Sequence, residues 1–192
     1  MLIEKILFVA VFINLIATFY YCKDILYGQT RPNLVTWSLW ALIPLIGVFF
    51  QLKAGARLSV LPILIDGLNC IVIIVFALWN KNSYWKIGRL DIVCGIFALV
   101  ALVFYIFTHN LGISILFAIL ADFLAAIPTI IKSWKFPETE TWGVYLVAGI
   151  TNIFGLLIIK NWIFTIYSFG LYFVLMNLLI VFCVNRKKIF KF

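Results

Sequence analysis

Seven apolar runs of about 20 residues follow one another through this chain, at roughly 2–22, 34–51, 58–79, 90–108, 111–132, 142–159 and 162–184. A continuous apolar run of that length matches the hydrocarbon core of a bilayer when it is helical. The runs are unbroken rather than alternating, so helices are expected and a β-barrel is not. Only 11% of the residues are charged, and mean hydropathy is +1.17. A soluble protein needs a more charged shell than that. The expected fold class is therefore an all-α membrane protein with seven transmembrane helices. The first run does not read as a cleaved leader: Glu4 precedes Lys5, and it ends in TFYYCKD without a small-residue cleavage site.

Charge sets an expected orientation. Seven spans place the two ends of the chain on opposite sides. Lys5, Lys53, Arg57 and Lys160 fall on one side; the other 11 of the 15 basic residues fall on the other. The positive-inside bias then puts the N-terminus outside and the C-terminus, with its tail NRKKIFKF, in the cytoplasm. A net charge of +8 is no sign of nucleic acid here, because the basic residues sit in short loops beside apolar runs. Short loops throughout fit a prokaryotic inner membrane.

No cofactor is expected. Cys22, Cys70, Cys94 and Cys183 lie in or beside apolar runs without a CxxC pair, and read as small apolar fillers. His109 is the only histidine and has no ligand cluster near it, so a metal site is not expected. No nucleotide-binding loop is present. A membrane enzyme would need clustered acids, histidines or an interfacial nucleophile, and none is visible.

The chain also matches itself. At an offset of 105 residues, TRPNLVTWSLWAL falls on FPETETWGVYLV, pairing Pro32 with Pro137, Thr36 with Thr141, Trp37 with Trp142 and Trp40 with Tyr145. With a three-residue insertion the offset becomes 108 and pairs Asn69 with Asn177. The expected organisation is a triple-helix repeat over 1–80, a linker loop and helix over 81–108, a second repeat over 109–185 and a basic tail over 186–192. The odd span between two three-span units lets both insert the same way up, as a parallel repeat.

This 3+1+3 order, with ADFLAAIPTIIKSWKFPETETWGVYL in the second unit, resembles the SWEET and PQ-loop transporter superfamily. Pro128 matches the motif proline, Thr129 stands where the glutamine would be, and Lys132 and Lys135 match the basic loop. In the first unit Lys23 and Asp24 occupy the pair's positions. The resemblance implies a carrier that alternates access between the repeats, a gating hinge at Pro128, and asparagines on the third helix of each repeat in the substrate pocket.

Polar residues inside the spans carry the candidate site, because hydrocarbon makes them costly. Pro62, Asp66 and Asn69 fall on one helical face. Asn69, Asn177 and Asn152 are the expected substrate contacts, since an amide offers both a donor and an acceptor to a hydroxyl. Trp40 and Tyr145 are candidate pocket aromatics. Asp66 and Asp122 are candidates for polar lining or proton coupling, because an intramembrane carboxylate can load and release a proton as access alternates. Asn14 reads as packing. Trp37 and Trp142 read as interfacial anchors, Glu138 and Glu140 as solvated loop acids, and Asp91, beside Arg89, as interfacial or paired. The expected function is transport of a small polar solute such as a sugar, amino acid or vitamin, with proton coupling open. The alternative is a binding or sorting receptor of the same fold, which would want a basic cavity. The expected partners are the solute and the bilayer, with a homo-oligomer left open.

Overall fold

The computed structural model describes residues 2–80, 85–108 and 110–189. The expectation for His109 falls outside them. Among the described residues the chain is helical with short connections: α1 Leu2–Leu26, α2 Leu34–Lys53, α3 Leu61–Trp79, α4 Arg89–Phe107, α5 Leu111–Lys135, α6 Trp142–Leu157 and α7 Phe164–Ile189. Six helical segments are long and apolar enough to cross a membrane, one of them being α3 with the 3-10 turn that precedes it. The exception is α6, whose 16 residues rise about 24 Å at roughly 1.5 Å each, short of a hydrocarbon core of about 30 Å.

Local chemistry sets the boundaries. Asn33 caps α2 by accepting from the Val35 and Thr36 amides, and Asn110 caps α5 by accepting from Gly112 and Ile113. Gly28 and Gly55 end the first two helices at φ 72° and 91°, a left-handed conformation that favours glycine. Helix α7 extends past the expected end to Ile189 and carries Arg186, Lys187 and Lys188 in its last turn. Cations there complement the helix dipole, and Arg186 also lies 4.3 Å above the Trp134 ring.

Packing order positions the site. Helix α3 packs on both α1 and α2, and α7 packs on both α5 and α6. Contacts between α1 and α6 and between α2 and α5 then close the six into a ring, with α4 outside against α5 and α2. Side chains such as Phe8, Phe12, Phe97 and Leu175 are more than half exposed around the outside. That apolar surface is compatible with an integral membrane protein.

Candidate functional site

At mid-depth inside the ring, an amide–carboxylate network joins three helices. Asp66 on α3 accepts from Asn14 Nδ2 at 2.9 Å and from Asn152 Nδ2 at 2.6 Å, one bond to each carboxylate oxygen. Asn69, one turn on, donates to Asn14 Oδ1 at 3.1 Å. The i, i+3 spacing of Asp66 and Asn69 is what brings both to the same neighbour. Asn14 is 1% exposed and sits at the centre of this network. It is therefore a polar hub between α1, α3 and, through Asp66, α6, which corrects its reading as a packing residue.

Asp122 on α5 faces the same space. Its Oδ2 accepts from the Tyr172 hydroxyl of α7 at 2.8 Å. Its Oδ1 is buried without a hydrogen-bond partner, and the Trp40 indole N–H approaches the carboxyl without closing a bond. Asn177 donates to the Phe173 carbonyl of its own helix at 2.8 Å. A cavity of about 50 Å³ lies between these groups. Asn69, Asn177, Trp40, Tyr145, Asp66 and Asp122 all line it, together with Asn14, Thr18, Trp37, Tyr172 and Phe173. Asn152 stands one hydrogen bond behind the wall. Pro128 lies off the lining, buried in α5. The space holds a few water molecules at roughly 10–15 Å³ each, so a larger solute requires the helices to separate.

One end of the cavity is closed by aromatic rings. This basic end carries the C-termini of α1 and α5 and the starts of α2 and α6. Trp37 and Trp40 pack at 5.4 Å between centroids, Tyr21 lies 5.2 Å from Trp37, and Tyr145 lies 6.1–6.3 Å from the other three. Beyond the rings, Glu140 forms an ion pair with Lys132 and accepts from the Tyr21 hydroxyl. The Tyr145 hydroxyl donates to the same carboxylate oxygen as Tyr21, at 3.0 Å. Lys132 also donates to the Arg31 carbonyl at 2.5 Å, and the Arg31 amide donates to the Thr139 carbonyl at 3.0 Å. The loops before α2 and α6 are thus tied together over the cavity.

Three expectations are corrected here. Glu140 is buried at 6% exposure rather than solvated, because Lys132 turns inward to pair with it; Glu138 remains exposed. Trp37 is 3% exposed and belongs to the ring cluster, whereas Trp142 is 39% exposed at the start of α6. Only Trp142 has the exposure an interfacial anchor needs. Asp91 is buried, accepting from Asn33 Nδ2 at 2.5 Å and from the Gly88 amide. It braces α4 against the start of α2.

The opposite end is closed by close helix crossings. Gly47 of α2 meets the Phe169 ring of α7, and Gly155 of α6 meets Pro62 of α3. Gln51 Nε2 donates across the first crossing to the Ile166 carbonyl at 3.1 Å. Outside this layer lies a second, polar pocket of about 490 Å³ between residues 55–59 and 158–161. All four cysteines are buried free thiols, and Cys70 lines the central cavity. Among the described residues no group of three or more His, Cys, Asp or Glu could hold a metal ion.

No family model, no curated protein and no solved structure matches this chain. The site's geometry therefore carries the functional reading.

Sequence reasoning missed Asn14, Thr18, Tyr172 and the Glu140–Lys132 pair. One signal for the first was available: Asn14 stands 108 residues before Asp122, the offset that also pairs Asn69 with Asn177.

Proposed function

We propose that this protein is a membrane carrier for a small polar solute, alternating access between two triple-helix units of the SWEET and PQ-loop type. The observation that carries the reading is the cavity at mid-depth, where polar side chains from both halves of the chain meet among apolar ones, with the ring cluster and ion pair at one end and the close helix crossings at the other. A carrier needs a central site whose two closures open in turn.

Packing order supports the two-unit arrangement. Each half places its third helix between its first two, and the α1–α6 contact has its counterpart in α5–α2. One offset of 108 residues relates Asn14 to Asp122, Gly47 to Gly155 and Asn69 to Asn177. The glycine pair marks the two crossings at one end, each made by a second helix against the other half's third helix. In this register Trp37 corresponds to Tyr145, and both lie in the ring cluster. The offset of 105 had instead paired Trp37 with the exposed Trp142. On the positive-inside rule the basic end is cytoplasmic.

Pro128 supports a hinge by position. A proline within a helix removes the bond to the carbonyl four residues back and bends the helix. Pro128 lies six residues past Asp122 and four before Lys132, between the cavity and the cytoplasmic closure. Pro44 in α2 lies between Trp40 of the cavity and Gly47 of the opposite closure. The asparagines are the groups that would meet solute hydroxyls, and Asp66 and Asp122 are where a coupled proton would ride.

The test is uptake by proteoliposomes over a panel of sugars, amino acids, amines and vitamins, with and without a pH gradient. Saturable uptake of at least one solute above empty vesicles is expected, weakened by Asn69→Ala and by Asn177→Ala. Failure of the whole panel to enter, with correctly folded and inserted protein, overturns the proposal.

A further inference from the structure

We propose that the central cavity takes a small organic cation bearing a primary ammonium group. This deepens the carrier reading by naming the class of solute, and rests on it for the location of the site. Among the described residues the lining contains two carboxylates, Asp66 and Asp122, and no Lys, Arg or His. Lys132 is buried beyond the ring cluster and committed to Glu140.

The two carboxylates are not equivalent. Asp66 has an amide donor on each oxygen, so its hydrogen-bonding needs are met within the protein. Asp122 is 2% exposed and has a donor on Oδ2 only; its Oδ1 is buried and unmet. A buried acceptor without a donor is costly, and a charged N–H is the strongest partner a carboxylate can be given. A primary ammonium supplies that donor and the compensating charge together.

The remaining walls suit the same ligand. Trp37, Trp40 and Tyr145 present aromatic rings to the cavity, and ring faces attract cations, tryptophan most strongly. Among the described residues the indole N–H of Trp37 is buried without an acceptor, while that of Trp40 approaches the Asp122 carboxyl without closing a bond. A hydroxyl on the ligand would give them one. A solute carrying only a carboxylate would face two acids and no base. A neutral polyol would bring no countercharge to Asp122 when that carboxyl is ionised. The shape of the demand is thus an amino alcohol or similar small amine.

The experiment uses the full chain in nanodiscs at constant ionic strength, with intrinsic tryptophan fluorescence read against ethanolamine, choline and ethylene glycol. These probes share a two-carbon hydroxyl skeleton; ethylene glycol lacks the charge, and choline keeps the charge, lacks the N–H and adds three methyl groups. Ethanolamine is expected to give a saturable change. Choline, which has charge but no N–H for Oδ1, is expected to bind at least about tenfold more weakly, the scale of one charge-assisted hydrogen bond. Ethylene glycol is expected to give no saturable change. Asp122→Asn should weaken ethanolamine by at least about tenfold on the same grounds. If that variant does not fold, the three-probe order in the unaltered protein decides. Equal responses to ethanolamine and ethylene glycol, or undiminished binding by folded Asp122→Asn, overturn the proposal. Binding of ethanolamine without its uptake into proteoliposomes supports the cation site and counts against the carrier. Uptake of a neutral solute with no ethanolamine binding does the reverse.

Discussion

Glu140 and Lys132 form a buried ion pair across the turn that joins α5 to α6, and two tyrosine hydroxyls converge on the same carboxylate. Removing one partner of such a pair strands the other charge, at a cost of roughly 3–5 kcal/mol. If the pair holds the basic end shut, Glu140→Gln shifts the closed-to-open ratio toward open. About 3 kcal/mol corresponds to roughly a hundredfold in that ratio. Cys70 reports on it, because it lines the cavity. With Cys22, Cys94 and Cys183 replaced by serine, Glu140→Gln is expected to raise labelling of Cys70 by a charged methanethiosulfonate at least tenfold, which takes about 1.4 kcal/mol, less than half of that cost. Unchanged labelling in a folded Glu140→Gln protein would remove the ion pair from any gating role.

Helix positions were the most legible part of this chain, because an apolar run of bilayer length admits few other structures. The register of the proposed repeat was harder to read. A slip of three residues turns a helix by about 300°, so the apolar face lands roughly 60° from where it began. The 105 and 108 offsets therefore look alike in hydrophobic pattern, and the letters of the Trp37–Trp142 match favour 105 for α2 and α6, where the proposed two-unit arrangement uses 108. Burial separates them, since Trp37 is 3% exposed and Trp142 39%. The convergence of Asn69, Asn177, Asp66 and Asp122 on one cavity was approached through the cost of polar groups in hydrocarbon. Glu140 was not readable that way. An acid in a loop looks solvated until the fold brings a lysine from the preceding helix inward to meet it.

The two glycine crossings make a stability prediction with a built-in control. A methyl group at Gly155 would sit 2.8 Å from Pro62 Cγ and 3.1 Å from the Ser59 carbonyl oxygen. Backbone and a proline ring give way poorly, so Gly155→Ala forces α6 off α3, and overpacking of this kind costs about 1–3 kcal/mol. Gly143, on the same helix, has nothing within 4 Å of an added Cβ. Thermal unfolding followed by circular dichroism should show a lowered midpoint for Gly155→Ala and none for Gly143→Ala. Equal midpoints for the two would mean that the α3–α6 crossing is not tight.

The expected orientation rests on the basic residues gathered at one end: Lys23, Arg31, Lys86, Arg89, Lys132, Lys135, Arg186, Lys187 and Lys188 there, against Lys5, Lys53, Arg57 and Lys160 at the other. The positive-inside bias assigns the first group to the cytoplasm. A green fluorescent protein fused after residue 192 is expected to fluoresce, and alkaline phosphatase fused after residue 57 is expected to be active. A dark first fusion paired with an inactive second one reverses the assignment, and with it the side on which the Glu140 closure lies.

The central network predicts coupling between residues on different helices. Asp66 receives Asn14 from α1 on one oxygen and Asn152 from α6 on the other. Single hydrogen bonds between helices in a membrane are worth about 0.6 kcal/mol on average and up to about 1.7, because the separated helices also find partners. Asn152→Ala and Asp66→Asn should therefore be non-additive, with an interaction energy in that range. Asn14→Ala should cost more than Asn152→Ala. Asn14 loses two network bonds, one given to Asp66 and one taken from Asn69, whereas Asn152 also spends its amide on the Ala148 carbonyl of its own helix. Denaturant unfolding of the three single variants and the double variant measures both comparisons. Strict additivity would show that Asp66 and Asn152 sit close without depending on each other. Asp66 would then be held in the network through Asn14, leaving its second oxygen as free as Asp122 Oδ1 to meet a solute.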